Sequence, residues 1–593
     1  MRKIIILFVA AFFFLFSNTV KASDIEQSFQ AQYELSLSGE TKILYEIELK
    51  NLTTEKYISK YELSLQGLRP ENLEIVDSEG EVKTTTDSNK LIINFNNQLV
   101  GKDKVRKLSI KFTDPNLLIK SGEVWEIYLP SIQNINEFQN YSIQIMVPPD
   151  FGQLAYISPN TYSKDTNNTH DIYSFKKQDL GNSAITAAFG KFQVFSFSLT
   201  YHLENPVNKT AFIPIALPPD TAFQKMIYTS VEPKPQNLKQ DQDGNWIAEF
   251  ELKAQEKFDI TTSGYTQIFS EPYKKQILDQ VQEQEYLQPQ QYWEVENPKI
   301  QSIASNLKTP RQIYDFVVDT LSYDYERIDP RVKRMGAAKA LSFPDQAICM
   351  EFTDLFITLA RAAGIPAREI NGFADTNNQQ LQPLSLVADV LHSWPEYWDE
   401  KRQVWVPVDP TWADTTDGID FFSKPDLKHF AFVIHGSSST EPYPAGSYKL
   451  GAYPQKDVYI SLSHLPENRR PNLTLNINRK KTLSFTKLFF DVELQNNGPV
   501  AIYDKSLNIY TDDQKFQEFK VAVLLPFEQI SFGFALESGF LAANAPNIVS
   551  AQIDLAKSQF AINKDQIVLR SVTLIFFTIF SVTATLYWRL RRR

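Results

Sequence analysis

Cysteine is almost missing from this chain: Cys349 is the single one in 593 residues. One thiol cannot close a disulfide within its own chain, which excludes a disulfide scaffold. Cys349 is therefore either an inert core residue or a nucleophile. Histidine is also scarce, six in all, and no Cys/His or His/acid cluster stands at metal-ligand spacing, so the sequence predicts no zinc and no cofactor. Positive charge is short as well: 60 Lys and Arg face 70 Asp and Glu, a net −10. Segments 1–22 and 570–593 hold eight basic residues and no acid, so the net charge over 23–569 is −18. That surface excludes nucleic acid as an expected partner. Low-complexity tracts and short-period repeats are lacking too.

What is present begins with the ends. Arg2 and Lys3 precede the apolar run Ile4–Phe16, and Val20-Lys21-Ala22 offers a small-residue cleavage site. This reads as a signal peptide over 1–22. Ser571–Trp588 carries no charge, ends in aromatic Tyr587 and Trp588, and runs into Arg589-Leu590-Arg591-Arg592-Arg593. Its length is just sufficient for a bilayer span, and the arginines set residues 589–593 as a cytoplasmic tail. The expected product is exported and held by one membrane helix at 571–588, its N-terminal region outside the cytoplasm.

A chain of this length divides into several domains. Over 23–190 apolar residues alternate with polar ones, as in Ile43, Tyr45, Ile47 and Leu49, which predicts an N-terminal β-sandwich. A second β domain is expected at 191–272. Its clearest hairpin turns at Asp243-Gly244 and sends Trp246, Ala248, Phe250 and Leu252 to one face. The acids around that turn lack the glycine and glutamate positions of an EF-hand, so a hairpin is expected there rather than calcium. Glu283–Gln291 reads as a polar linker. The period then changes to about 3.6, with Asn297-Pro298 and Thr309-Pro310 as helix starts. Residues 292–436 form the expected α+β domain. Alternation returns over 457–565, an expected Ig-like sandwich beside the membrane. The fold class is multidomain and mainly β, with one central α+β domain.

Within that domain Phe352, Leu355, Phe356, Leu359, Ala360 and Ala363 make one helical stripe, closed by Gly364 and Pro366. Cys349 then falls in the first turn, where free backbone N–H groups favour thiolate and can receive an oxyanion. His392 lies in a strand-like run, Leu391–Trp398. Asp409 closes another, Trp405-Val406-Pro407-Val408. In adjacent strands Asp409 would accept Nδ1–H of His392, leaving the other nitrogen for the thiol. Gln346 is a candidate oxyanion donor, and Trp394 and Trp412 are candidate walls of an acyl pocket. His429 and His435 show no matched acidic partner and read as structural.

The segment resembles the catalytic core of the transglutaminase-like superfamily. The likeness rests on Cys349-Met350-Glu351-Phe352, on Arg361–Arg368, on His392-Ser393-Trp394-Pro395-Glu396-Tyr397, and on Trp405–Trp412, with Leu321–Tyr325 before the helix. Intervals of 43 and 17 residues separate Cys, His and Asp in that order. The resemblance covers about residues 295–415. It implies a papain-like fold with Cys349 as nucleophile, His392 as general base and acid, and Asp409 as orienting group. It further implies attack on an amide or peptide carbonyl, a thioester, and release to water or an amine, on protein or cell-wall peptide substrates. Two positions depart from the pattern. Ala347 stands where glycine is common, and Pro395 removes a ladder donor, which predicts an edge strand or a bulge. The competing expectation is a catalytically silent, membrane-anchored stack of β-sandwiches serving as a binding scaffold. Oligomeric state is not readable from the sequence.

Overall fold

The computed structural model describes residues 24–592 apart from 66–67, 88, 130–133, 181–183, 329–331, 376–388, 390, 417–418, 423–425, 450–455, 483 and 485. The expected signal peptide lies outside the described residues. The chain forms two compact bodies. The first comprises residues up to Leu118 with Tyr128–Asp150 and Thr161–Ala184; the second takes Ile119–Ile127, Phe151–Asn160 and all from Ile185.

In the first body a seven-stranded sheet centres on Ile25–Leu35, parallel to Phe138–Val147 on one side and antiparallel to Thr41–Asn51 on the other. A three-stranded sheet of Tyr57–Ser64, Lys90–Val100 and Val82–Asp87 completes it. Alternation here does what period two requires: Ile43, Tyr45, Ile47 and Leu49 are all buried. The expected boundary at 190 is not where the chain divides. Leu154–Ser158 and Ile185–Phe189 pair in a sheet of the second body, with Val124–Ile127 beside them.

The second body begins with two small sheets around Trp246, Phe250 and Tyr201. The expected hairpin is there, with Asn237–Gln240 pairing Trp246–Leu252 and all four predicted inward residues buried. Val458–Leu462 pairs with Phe195–Leu199 in this region, so the C-terminal sandwich starts at Leu473 rather than at 457. That sandwich stacks a three-stranded sheet and a four-stranded sheet over Phe490, Val492, Leu507 and Ile509. Leu555 is fully exposed in the turn after Ile548–Ile553.

Between them lies the α+β region. The supposed linker Glu283–Gln291 starts inside a helix, Gln280–Glu285, whose Asp279 and Gln282 form a reciprocal capping box. Helices α1 (Pro298–Ala304) and α2 (Pro310–Thr320) start where predicted, with Asn297 and Thr309 accepting first-turn N–H groups. Helix α3 (Cys349–Ala362) ends in a glycine cap: Gly364 has φ +80°, and the Ile365 N–H reaches the Ala360 carbonyl at 2.8 Å. The single apolar stripe expected on α3 understates its burial. Glu351, Thr353, Asp354 and Thr358 are buried too, because helices cover one side and a sheet the other.

The sheet contains β1 (Ala367–Ala374), β2 (His392–Asp399), β3 (Val404–Pro407) and β4 (His429–His435), ordered β3-β2-β1-β4 and antiparallel throughout. Helix α4 (Pro410–Thr415) follows β3. Strand β2 is therefore internal, not an edge. Pro395 is tolerated because it lies just past the end of β3, where only its carbonyl is used, accepting the Val408 N–H at 3.0 Å. A bulge at Asn371/Gly372 admits an extra residue on β4. Gly372 is required there: a Cβ would meet the Phe430 carbonyl oxygen at 2.1 Å.

Strand β4 has an open edge, and two amide side chains from the neighbouring β domain cover it. Gln224 exchanges two hydrogen bonds with the Ala431 backbone, at 2.8 and 2.9 Å, and Asn245 does the same at Ile434, at 2.7 and 2.8 Å. The Asp243 carboxylate beside it accepts from Gly436, Ser437 and Tyr286. These residues satisfy backbone groups that would otherwise be buried unpaired or left as an aggregation edge.

The last helix, α5 (Lys564–Arg591), begins two residues after the strand Ala556–Ala561. Ile567 and Val568 still pack in the sandwich core, whereas Phe576, Phe577, Ile579 and Phe580 are exposed. At 1.5 Å per residue the uncharged stretch 571–588 spans roughly 27 Å. This helix is long and apolar enough to cross a membrane.

Candidate active site

The site forms where three elements begin. Cys349 opens α3, His392 opens β2, and Asp409 caps α4. Two contacts fix the first pair. Thr353, one turn along α3, donates to the Ser393 carbonyl at 3.1 Å, tying the cysteine helix to the histidine strand. Glu369 on β1 accepts from Ser393 Oγ at 2.7 Å and pairs with Arg334, which also grips Asp354 of α3. At the start of α3, Ile348 offers no side-chain acceptor. Glu351 turns back instead, taking the Ile348 N–H at 3.0 Å, the Met335 N–H at 2.9 Å and Arg327 at 3.2 Å.

Asp409 sits between a helix and two imidazoles. Its Oδ1 accepts the N–H groups of Thr411 and Trp412 at 3.0 and 3.1 Å, holding the carboxylate at the positive end of α4. Its Oδ2 lies 2.9 Å from His392 Nε2 and 3.2 Å from His429 Nε2. Nε2 thus faces Asp409, in place of the expected Nδ1. His392 Nδ1, fully buried, has no hydrogen-bond partner among the described residues. The Cys349 thiol is near enough to raise the proton affinity of the ring without closing a well-aligned bond.

Burial by itself would make His392 neutral. The Asp409 charge and hydrogen bond outweigh it, with Cys349 adding to them, and hold the ring at about 10. Burial would likewise raise Asp409, yet the two histidines keep it well below the usual carboxylate range. Trp412 stacks on His392 at 5.2 Å between centroids and Trp394 at 5.9 Å, so both tryptophans flank the imidazole. Both are buried. Gln346 stands apart, its side chain at the surface and its carbonyl held by Arg327.

Two expectations about the other histidines fail. His435 Nδ1 meets Glu369 at 3.0 Å, and His429 Nδ1 meets Asp426 at 2.8 Å. The Glu369 pairing is made across strands. The Asp426–His429 spacing of three was a signal available in the sequence and was missed. No His/acid cluster stands at metal-ligand spacing in the sequence, but the fold brings ligand-type atoms of His392, Asp409 and His429 within 4.8 Å of one another. A metal would need the nitrogen lone pairs where the N–H···O bonds to Asp409 place protons, so hydrogen bonding accounts for this set.

Residues 295–410 match the core model of the transglutaminase-like superfamily. The chain carries a transglutaminase-like domain. That superfamily consists mostly of cysteine hydrolases and acyltransferases. No curated protein sequence matches the chain. Among solved structures, a candidate cysteine protease from Cytophaga hutchinsonii is 16% identical, with 46% of this chain and 99% of that one covered and a TM-score of 0.28. The periplasmic domain of TgpA from Pseudomonas aeruginosa, bound to ethylmercury, is 14% identical over 38% and 91% of the two chains, with a TM-score of 0.23. An M1 zinc metallopeptidase of Deinococcus radiodurans is 10% identical over 31% and 45%, with a TM-score of 0.19.

Proposed function

We propose that the transglutaminase-like domain is a thiol enzyme acting on amide or peptide bonds, with Cys349 as nucleophile, His392 as proton carrier and Asp409 as its orienting carboxylate. The observation that carries this reading is the His392 ring, bound through Nε2 to a buried carboxylate and turning an unpartnered Nδ1 to the neighbourhood of a lone thiol. A ring held at about 10 is imidazolium at neutral pH, which suits a thiolate–imidazolium pair. Sγ of Cys349 attacks the carbonyl carbon, and first-turn N–H groups of α3 receive the oxyanion. His392 gives its Nδ1 proton to the departing amine, leaving a thioester. Water or a lysine amine then attacks, returns a proton to His392 and frees the thiolate. Trp394 and Trp412 hold the imidazole plane in this scheme and wall the acyl site; Gln346, exposed, is the weaker candidate for an oxyanion donor.

Location follows from α5. With the arginine tail kept inside by the positive-inside rule, we infer that the β domains and the enzyme lie outside the cytoplasm, and protein or cell-wall peptide at the cell surface is the proposed substrate. In domain terms the N-terminal sandwich, the second β domain and the membrane-proximal sandwich restrict access or present substrate. One observation favours a silent scaffold instead: Cys349 and His392 are both 0% exposed. Iodoacetamide labelling of the native protein separates the two readings. Alkylation of Cys349 below pH 7 supports the enzyme, and labelling only after denaturation supports the scaffold. Trapping an acyl group on Cys349 and weighing the modified peptide would identify the substrate class.

A further inference from the structure

His429 is a largely buried ionisable group at this site that the proposed mechanism leaves unused. It lies at the start of β4 with both nitrogens engaged: Nδ1 is 2.8 Å from Asp426 Oδ1, and Nε2 is 3.2 Å from Asp409 Oδ2. Carboxylates only accept, so each of these contacts needs an N–H. A neutral imidazole has just one. The ring also packs against Trp412 at 4.6 Å and Trp394 at 4.8 Å, aromatic faces that suit a buried cation.

We propose that His429 is a positioning residue of the triad: an imidazolium clamped between Asp426 and Asp409 that holds the Asp409 carboxylate toward His392 and tempers its pull on that ring. The proposal rests on the thiol-enzyme reading for its catalytic meaning, but the protonation of His429 stands on geometry alone. Asp409 Oδ2 serves two imidazoles at once, and the ring centroids of His392 and His429 are 5.6 Å apart. A second cation at that distance opposes the first. It makes His392 a readier proton donor than Asp409 alone would leave it, and it favours a thiolate nearby. The charged groups facing His429 are Asp426 from the segment entering β4, Asp409 from the start of α4, and His392 from β2. Glu126, paired with Lys428 at 2.9 Å, and Asp375 at the end of β1 lie around Asp426. Burial pushes the His429 ring toward neutrality, yet Asp426 and Asp409 hold it above its ordinary value.

The decisive test follows the rate of Cys349 alkylation by iodoacetamide against pH in the full chain. A thiolate–imidazolium pair gives two inflections: formation of the thiolate, then loss of the imidazolium proton. A nearby cation favours both deprotonations, so removing it raises both inflections. His429→Asn is expected to move each upward by about one pH unit, the size of shift a close charge produces. Asp426→Asn preserves the shape, leaves a neutral ring still donating Nε2–H to Asp409, and is expected to move both in the same direction by less. A purely structural role would lower thermal stability and leave the inflections in place. Unmoved or falling inflections in Asp426→Asn overturn the proposal. If His429→Asn does not fold, nitrogen-15 NMR of histidine-labelled native protein still decides: both ring nitrogens of His429 protonated at pH 7 supports the imidazolium, and a single neutral tautomer overturns it. Native protein whose Cys349 resists alkylation would instead sink the enzyme reading and leave the NMR result standing.

Discussion

Replacing Asp409 with asparagine should take away the proton affinity of His392 while sparing most of the packing. The carboxylate currently makes four hydrogen bonds, two to the N–H groups that open α4 and two to imidazoles. Asparagine keeps one oxygen. If that oxygen stays on the α4 amides, its NH2 group faces His392 Nε2, which must then accept, so Nδ1 becomes the N–H of a neutral ring and no longer offers a lone pair. The charge that outweighed burial is gone. The ring, held at about 10, should fall to its ordinary 6.5 or below, a drop of three units or more. At ~1.4 kcal/mol per unit, this is about 4 kcal/mol of lost preference for imidazolium. Without that cation beside it the sulfur loses the charge that favours thiolate, and each unit of lost preference is a tenfold loss. Alkylation of Cys349 at pH 6.5 should slow by about 100-fold, and the two-step pH profile should collapse to one step. Because Cys349 is the only thiol, total incorporated label reports this site alone. A variant that melts like the native protein and alkylates at the native rate at pH 6.5 would refute the reasoning.

Four further outcomes follow. The stability that His392 contributes is full below 6.5 and lost as pH rises through about 10, so the melting temperature of the native domain should decline across that range and Asp409→Asn should show no such decline. Trp412→Ala removes a fully buried ring packed on both His392 and His429; a loss of about 3–5 kcal/mol is expected, read as faster amide exchange in α3 and α4. Asn245→Ala strands the Ile434 backbone groups on the edge of β4 and should cost about 1–3 kcal/mol, with exchange rising at Ile434 and not in the C-terminal sandwich. Deleting 570–593, which leaves Ile567 and Val568 in the sandwich core, should move the protein from the membrane pellet to the soluble fraction; retention in the pellet would refute α5 as the anchor.

Much of the site could be read from the residues because its parts are local. A capped helix start places Cys349, and period-two alternation before Asp409 marks the strand beside His392 that leads into it. Nothing local chooses the ring nitrogen: Nε2 faces Asp409 because Asp409 has passed the end of β3 and turned into α4. His429 was misread for a topological reason. Strand β4 returns to the far side of β1, and a bulge at Gly372 alters its register, so a residue 37 positions after His392 arrives beside it. Pro395 was misread in a similar way, since an internal strand can be locally an edge where its neighbour is short. The domain at 191–272 was visible as a hairpin, but its use was not. Gln224 and Asn245 act as a stand-in strand for β4, a role that only the packed fold displays.

The join between the last strand and α5 has a mechanical consequence. Only Ile562 and Asn563 separate them, and the first turns of the helix are part of the sandwich core. A glycine-rich tether would let a surface enzyme sweep a volume set by its length. If α5 crosses the bilayer as proposed, the C-terminal sandwich stands on a stiff post and its height above the lipid is set by the fold. Encounter then depends on lateral diffusion in the plane and on what projects to that height, and lengthening the join should change which targets are met without changing the chemistry.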